Sequence, residues 1–156
     1  MSTLIAYATK HGCTEKCAKK VANKLPDAVE LKNLKNKMDV NITKYEAVII
    51  AGSIHAGQIQ KEIKNFCKDN QDILKQKKIG LYICCMDEGK KAEKQFENAF
   101  PEELRKVAIA KGLFGGEFNF DKMNFVERFL VKRIAKVKES VSKIKEENID
   151  KFVEKF

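Results

Sequence analysis

Hydrophobic residues fall into short continuous runs, separated by segments in which they recur at helical spacing. Near-continuous apolar runs occupy residues 3–8, 46–53 and 78–85, as expected of central parallel strands covered on both faces. Shorter runs at residues 28–31 and within residues 106–118 predict two further strands. The pattern therefore predicts a five-stranded parallel sheet.

Helical periodicity fills the intervals between these strands. Apolar residues recur every three or four positions between Cys17 and Leu25, and a proline directly after them ends the segment. The same spacing predicts helices over residues 59–74 and 92–100. Alternating strands and helices predict an α/β fold with helices on both faces of the sheet, and a single domain over residues 1–156.

The last third of the chain is helical in pattern over residues 121–156, with a basic amphipathic helical segment at residues 121–145. Its apolar residues lie broadly on one side: Phe125, Val126, Phe129, Leu130, Ile134 and Val137. Two interpretations stay open. The segment meets an anionic membrane surface or an acidic partner through residues 123–145, or it packs its apolar side on the sheet as an ordinary surface helix.

Composition narrows the classes of partner. Lys and Arg total 31 against 22 Asp and Glu, a net charge of +9, which favours polyanions or anionic surfaces. Because no strand interleaves basic with aromatic residues, nucleic acid is not expected as a partner. No apolar run approaches the ~18 residues of a membrane helix, and the first residues lack the layout of a signal peptide. We expect a cytoplasmic protein, with membrane association left open.

The five cysteines do not predict a metal site. They are Cys13, Cys17, Cys67, Cys84 and Cys85. An odd number argues against a secreted disulfide framework, and the absence of C-x-x-C and of paired histidines argues against zinc or an iron–sulfur cluster. Cys13 and Cys17 lie one helical turn apart, but the pattern favours small buried residues at the start of a helix.

Three loops follow strands at the sheet edge where α/β folds bind ligands. The first reads Thr9-Lys10-His11-Gly12-Cys13-Thr14. It leads into a helix whose free N–H groups and partial positive charge suit phosphate, and its threonine hydroxyls can donate to phosphate oxygens. Phosphate binding and simple helix capping both remain open for this loop. The other two loops, residues 53–58 and 86–90, are polar and contain glycine.

Together the three loops resemble those of the flavodoxin family. The phosphate loop of that family has the form Ser/Thr-x-x-Gly-x-Thr, and its second loop begins with serine after an apolar strand, as "AGSIHAG" does here. The resemblance spans essentially the whole chain. It implies a flavodoxin-like three-layer α/β/α sandwich with a five-stranded parallel sheet in the order 2-1-3-4-5, and FMN as the cofactor.

The resemblance also implies which residues hold FMN. Around the phosphate it places Thr9, Lys10, His11, Gly12, Cys13 and Thr14. Along one side of the isoalloxazine ring it places Ser53, Ile54, His55, Ala56 and Gly57, and along the other Cys85, Met86, Asp87, Glu88 and Gly89. A backbone group near Ala56–Gly57 would meet flavin N5. His55 is the candidate for stacking or proton relay, and no other catalytic residue is assigned.

Two departures separate this chain from electron-transfer flavodoxins, which are acidic and often hold the ring between Trp and Tyr. This chain is basic, has no Trp, and has no Tyr in either ring loop. The stretch "FNFDKMNFVERFLVKRIAK" looks like the corresponding region of the menaquinone-dependent protoporphyrinogen oxidases, which are flavodoxin-like FMN enzymes. "SIHAGQIQKEIKNF" is similar to their Ser-Ile-x-x-Gly run, although part of their long loop after the fourth strand is missing.

Two functions from different classes follow from the resemblance. The first is an FMN-binding oxidoreductase, similar to protoporphyrinogen oxidase, with a quinone as electron acceptor. The alternative is a non-catalytic electron shuttle that docks redox protein partners through its basic face. An FMN-free interaction domain of the same fold is the third interpretation, and the intact phosphate loop argues against it.

Overall fold

The computed structural model describes residues 2–36, 39–118, 120–134 and 140–156. In chain order the strands are β1 (Ser2–Tyr7), β2 (Ala28–Asn33), β3 (Ala47–His55), β4 (Gln58–Ile59), β5 (Lys78–Cys84), β6 (Ala110–Leu113), β7 (Glu117–Phe118) and β8 (Val141–Ser142). The helices are α1 (Cys13–Lys24), α2 (Lys61–Asp69), α3 (Gln71–Leu74), α4 (Gly89–Ala99), α5 (Glu102–Val107), α6 (Phe125–Ile134) and α7 (Glu146–Lys155).

Five parallel strands form the central sheet in the order β2-β1-β3-β5-β6. Counted along the parallel strands alone, this is the order 2-1-3-4-5, so the predicted fold class is confirmed. Two short pairings were not predicted. Strand β4 folds back antiparallel on the end of β3, and β7 pairs antiparallel with β8.

The sheet separates two hydrophobic clusters, which explains why its strands are apolar at nearly every position. Successive side chains of a strand point to opposite faces. In β1, Leu4 belongs to the cluster that contains side chains of α2, α4 and α5, whereas Ile5 belongs to the cluster that contains side chains of α1 and α7. Both side chains are fully buried. A strand covered on both sides has no solvent face, so its sequence lacks polar alternation.

Helix α7 closes one face of the sheet beside α1. Its Phe152 is buried and lies 5.4 Å from the ring of Phe114 and 5.9 Å from that of Tyr82. A Cβ at Gly80 of β5 would stand 2.7 Å from the Phe152 ring, so only glycine admits this close approach. Ion pairs of Lys20 and Lys24 with carboxylates of α7 join the two helices.

The predicted helix over residues 121–156 is wrong at Val141–Ser142, which form β8. The backbone explains the difference. Beyond β6 the chain presents free carbonyl groups, and the N–H of Lys143 donates to the Gly116 oxygen at 2.7 Å while that of Lys145 donates to the Phe114 oxygen at 2.8 Å. Paired backbone groups outweigh the helical pattern of this segment. Val137 lies outside the described residues.

Helix α6 does not bury its apolar side on the sheet. The exposed fractions are 84% for Phe125, 62% for Val126, 52% for Phe129 and 46% for Leu130. The interpretation of an ordinary helix packed on the sheet is therefore wrong for these four side chains. Within the described ranges, no helix is both long and apolar enough to cross a bilayer.

Phe152→Ala is expected to lower the free energy of unfolding by about 3–5 kcal/mol, because it leaves a cavity between α7 and the sheet. Urea denaturation followed by circular dichroism measures the change. The matched control is Phe125→Ala on α6, which removes a mostly exposed ring and is expected to change stability by less than about 0.5 kcal/mol. Equal losses in the two variants would contradict the role assigned to α7.

Candidate functional site

A cavity of about 110 Å³ lies at the carboxyl ends of β1, β3 and β5, where the three predicted loops meet. Eight of the predicted site residues line it: Thr9, His11, Cys13, Ser53, Ile54, His55, Cys85 and Met86. The other predicted residues lie in the same loops without lining the cavity: Lys10, Gly12, Thr14, Ala56, Gly57, Asp87, Glu88 and Gly89. The fold thus brings all three loops together.

The first loop is closed by a hydrogen bond from the Gly12 N–H to the Thr9 hydroxyl oxygen, at 2.9 Å. Gly12 precedes α1 with φ of +94°, a left-handed conformation that favours glycine. A Cβ at Gly12 would lie 2.6 Å from the Lys122 Nζ. The backbone of the loop therefore has an ammonium group directly above it.

Thr14, in the first turn of α1, carries a buried hydroxyl that has no hydrogen-bond partner. Its own carbonyl is fixed by the hydroxyl of Tyr82, which donates to it at 3.1 Å. A buried hydroxyl without a partner costs about 1–3 kcal/mol. The N–H groups of a first helical turn also have no partner within the helix. This part of the loop therefore contains hydrogen-bond donors without acceptors, and an anion would supply those acceptors.

The carboxylate that reaches this loop belongs to Glu127 of α6. Its Oε2 lies 2.9 Å from the Lys10 Nζ and 2.8 Å from the His11 Nε2. Its Oε1 faces the N–H of Asn124 at 3.4 Å, and the Asn124 side chain accepts from the Glu127 N–H at 2.9 Å. The pair forms a capping box at the start of α6, so one carboxylate both caps this helix and binds the first loop.

The charges around Glu127 determine its protonation. Partial burial raises the pKa of Glu127. The Lys10 ammonium, the Asn124 N–H and His11 together lower this pKa by a larger amount, so its net shift is downward. His11 contacts two acceptors, since its Nδ1 lies 3.2 Å from the Lys122 carbonyl oxygen and its Nε2 faces Glu127.

The second loop is a β-hairpin. The Ser53 N–H donates to the Gln60 Oε1 at 3.0 Å, and the Gln60 Nε2 donates to the Ser53 Oγ at 2.7 Å. The Ser53 hydroxyl proton is therefore free to donate to the His55 Nε2, at 2.9 Å. With Ser53 as the donor, the proton of neutral His55 lies on Nδ1. At the tip of the hairpin, Ala56 and Gly57 have φ of +50° and +77°.

His55 is held in its neutral form. Burial is the largest cause, followed by the charges of Lys10 and His11, and together they lower the pKa of His55 to about 4. The His11 and His55 rings meet edge to face with 5.7 Å between their centroids. At neutral pH His55 therefore does not carry a charge, and with Ser53 as its donor it offers a hydrogen-bond donor at Nδ1.

The third loop turns its acidic side chains away from the cavity. Asp87 accepts from the Gln95 Nε2 at 2.8 Å and pairs with Lys91 at 3.1 Å. The hydrogen bond from Gln95, with help from Lys91, lowers the pKa of Asp87. Glu88 lies 3.4 Å from the Lys145 Nζ. Only Cys85 and Met86 of this loop reach the cavity.

Seven lining residues were missed from the sequence: Cys84, Gly116, Glu117, Phe118, Met123, Glu127 and Val131. Most belong to the chain after β6, which folds back over the loops of β1, β3 and β5. The Gly115–Gly116 pair marks the bend that begins this path. No local pattern indicates that Glu127 reaches a loop more than a hundred residues earlier.

Comparison with known proteins agrees with this architecture. Residues 4–145 match the sequence profile of the flavodoxin domain family. No curated protein matches the sequence.

Among solved structures, a short-chain flavodoxin associated with a non-canonical PDU bacterial microcompartment is similar, with a TM-score of 0.60 and 16% identity over 99% of this chain and 95% of that one. Oxidised flavodoxin 1 from Bacillus cereus has a TM-score of 0.58 and 16% identity over 99% and 93%. Rubredoxin oxygen:oxidoreductase from Desulfovibrio gigas has a TM-score of 0.49 and 16% identity over 68% of this chain and 33% of its own. The present chain thus spans about a third of that oxidoreductase, and the first two likenesses support the fold.

The imidazole resonances of His55 are expected to titrate with a midpoint near pH 4, well below the ~6.5 of an exposed histidine. NMR on the protein and on His55→Asn assigns the signals. The unfolded chain takes up this proton near pH ~6.5, whereas the folded chain does so only near 4. Stability is therefore lost as the pH falls through that window, and His55→Asn removes this part of the loss. A midpoint above pH ~6 would contradict the burial of the ring.

Proposed function

Because the chain belongs to the flavodoxin domain family, we propose that it binds FMN at this cavity and works as an electron-transfer flavoprotein. The observation that carries the proposal is the Thr14 hydroxyl, which is buried and has no partner at the start of α1. A phosphate oxygen would accept from this hydroxyl and from the N–H groups of the first turn. The residues present therefore fit the phosphate group of FMN.

Three cationic candidates surround the proposed phosphate position: Lys10, His11 and Lys122. Glu127 holds the first two in the structure, while Lys122 stands above Gly12. A phosphate carries more charge than one carboxylate and would compete with Glu127 for the same groups. In the proposed complex, Lys10 and His11 would hold the phosphate in place of Glu127.

The ring of FMN requires more room than the cavity provides. Ligand sites commonly enclose about 300–1,000 Å³, whereas this one has about 110 Å³. Met123, Glu127 and Val131 cover it from the segment that contains α6. We therefore propose that this segment moves outward when FMN binds.

Around the ring, the proposal assigns contacts to Ile54, His55 and Met86, with Phe118 as an aromatic lining residue that the sequence did not indicate. His55, neutral and with its Nδ1–H free, would act as a hydrogen-bond donor. Its low pKa argues against the proton relay that the sequence left open. Bound FMN supplies the redox chemistry, and the protein orients it and limits access of water.

For the electron acceptor we propose a quinone, with activity similar to that of protoporphyrinogen oxidase. Two features support it: the site lacks the Trp and Tyr of many flavodoxins, and α6 exposes apolar side chains beside basic ones. An exposed apolar face with basic flanks suits an anionic membrane surface, where quinones reside. The alternative is an electron shuttle, for which the net charge of +9 would attract acidic redox proteins.

Thr14→Val is expected to change the stability of the FMN-free protein and FMN affinity in opposite directions. Removing the buried hydroxyl raises the free energy of unfolding, because a group without a partner is removed, and it weakens FMN binding at least about tenfold, because a charged hydrogen bond is lost. Thermal denaturation without FMN and fluorescence quenching on FMN titration measure the two effects.

The matched control for affinity is Thr43→Val, which changes an exposed threonine that does not line the cavity and should leave FMN affinity unchanged. Its stability is not compared, because the Thr43 hydroxyl donates to the Asn41 Oδ1 at 2.6 Å. A protein that takes up no FMN would refute the proposal. So would a Thr14→Val variant whose FMN affinity equals that of the unmodified protein.

The enzyme and the shuttle are distinguished by one pair of measurements on the FMN-loaded protein. Protoporphyrinogen oxidation is followed with menaquinone in anionic and in zwitterionic vesicles, and an anaerobic reductive titration counts the electrons taken up in each step. Turnover that is faster with anionic vesicles, together with two-electron reduction, is expected for the enzyme. Absence of turnover, together with two resolved one-electron steps, supports the shuttle and contradicts the quinone-linked function.

A further inference from the structure

Three thiols from two distant parts of the chain meet beneath the first loop. The Sγ atoms of Cys13 and Cys17 in α1 and of Cys84 at the end of β5 all lie within 4.8 Å of one another. Cys17 and Cys84 are closest, at 3.7 Å. The sequence showed only the pair in α1. The fold adds the third thiol, 67 residues beyond Cys17.

The spacing of these sulfur atoms matches metal coordination. Tetrahedral zinc binds thiolates at about 2.3 Å, which places neighbouring sulfurs about 3.8 Å apart. A disulfide requires a sulfur–sulfur distance of about 2.05 Å, so Cys17 and Cys84 would have to move much closer to form one. The Cys17 and Cys84 sulfurs already have this spacing, and the Cys13 sulfur lies within 4.8 Å of both.

The surroundings provide charge compensation. Cys13 is the first residue of α1, where the helix dipole favours negative charge. A divalent ion bound by three thiolates would leave one net negative charge, which the helix terminus stabilises.

The cluster is also accessible from one side. Cys17 is fully buried, but Cys13 and Cys84 line the cavity described above. A metal ion can therefore reach the sulfurs through the cavity, and its fourth coordination position would face that space. Zinc sites with three protein ligands and one open position are the kind that bind water or an exogenous ligand.

We propose that Cys13, Cys17 and Cys84 form a binding site for a thiophilic divalent metal ion of the zinc class. Binding replaces the thiol protons by the ion and releases them to solvent, so no oxidant or reductant takes part. This proposal rests on the geometry of the cluster and does not require FMN to be bound, although Cys13 and Cys84 line the cavity proposed for FMN.

The test uses the full-length protein, reduced and kept anaerobic, and two probes. Zn(II) is titrated against a chromophoric chelator, and Cd(II) is added alone to reveal thiolate-to-metal charge-transfer absorption. One ion per chain is expected. Cys17→Ala should weaken binding by more than about a hundredfold, because even ligand-supporting residues outside the first coordination sphere contribute 10- to 100-fold.

The matched control is Cys67→Ala, which removes a buried cysteine from the hydrophobic cluster on the other face of the sheet and should leave metal affinity unchanged. Because an alanine variant can lose its fold, circular dichroism accompanies each titration. X-ray absorption of the Zn(II)-loaded unmodified protein counts its sulfur ligands directly, and three are expected. Failure of the reduced protein to bind either ion, or two or fewer sulfur ligands, would overturn the proposal.

Discussion

Burial of the parallel sheet on both faces is the constraint on which the rest of the structure depends. Strands such as β1 send Leu4 to one hydrophobic cluster and Ile5 to the other, so helices must cover both sides. The chain can then expose polar loops only at the ends of the strands. Because the strands are parallel, their carboxyl ends share one edge. Three loops with little in common in sequence are thereby gathered around a single cavity.

Whether a feature of the fold or of the site could be predicted from the sequence depends on whether it is formed by residues close together in the chain or far apart. The five parallel strands and their order follow from apolar runs and a family resemblance, because a strand buried on both faces is recognisable by itself. Strand β8 was not predicted, because Val141 and Ser142 pair through backbone groups that any sequence provides. The role of Glu127 was not predicted either, because in the sequence a carboxylate within a basic helix looks like an ordinary surface charge. Only the fold places it beside Lys10.

The same distinction applies to the cysteines. Cys13 and Cys17 are visible as a pair because helical spacing is local, whereas Cys84 joins them only through the packing of α1 on β5. The Thr14 hydroxyl fits the family's phosphate-loop pattern, which is visible in the sequence. Its lack of a hydrogen-bond partner is a property of the folded site. That property distinguishes a threonine that can serve a ligand from one that merely caps a helix.

Helix α6 combines two features that are separate in most proteins. Through Glu127 it contacts Lys10 and His11 of the first loop, and through Phe125 and Phe129 it presents apolar surface to solvent. A ligand that displaces Glu127 and a surface that draws α6 outward would therefore act on the same equilibrium. By thermodynamic linkage, each would strengthen the binding of the other by an equal factor. If α6 moves as proposed, contacts on the outer face of this helix would change ligand binding in the interior.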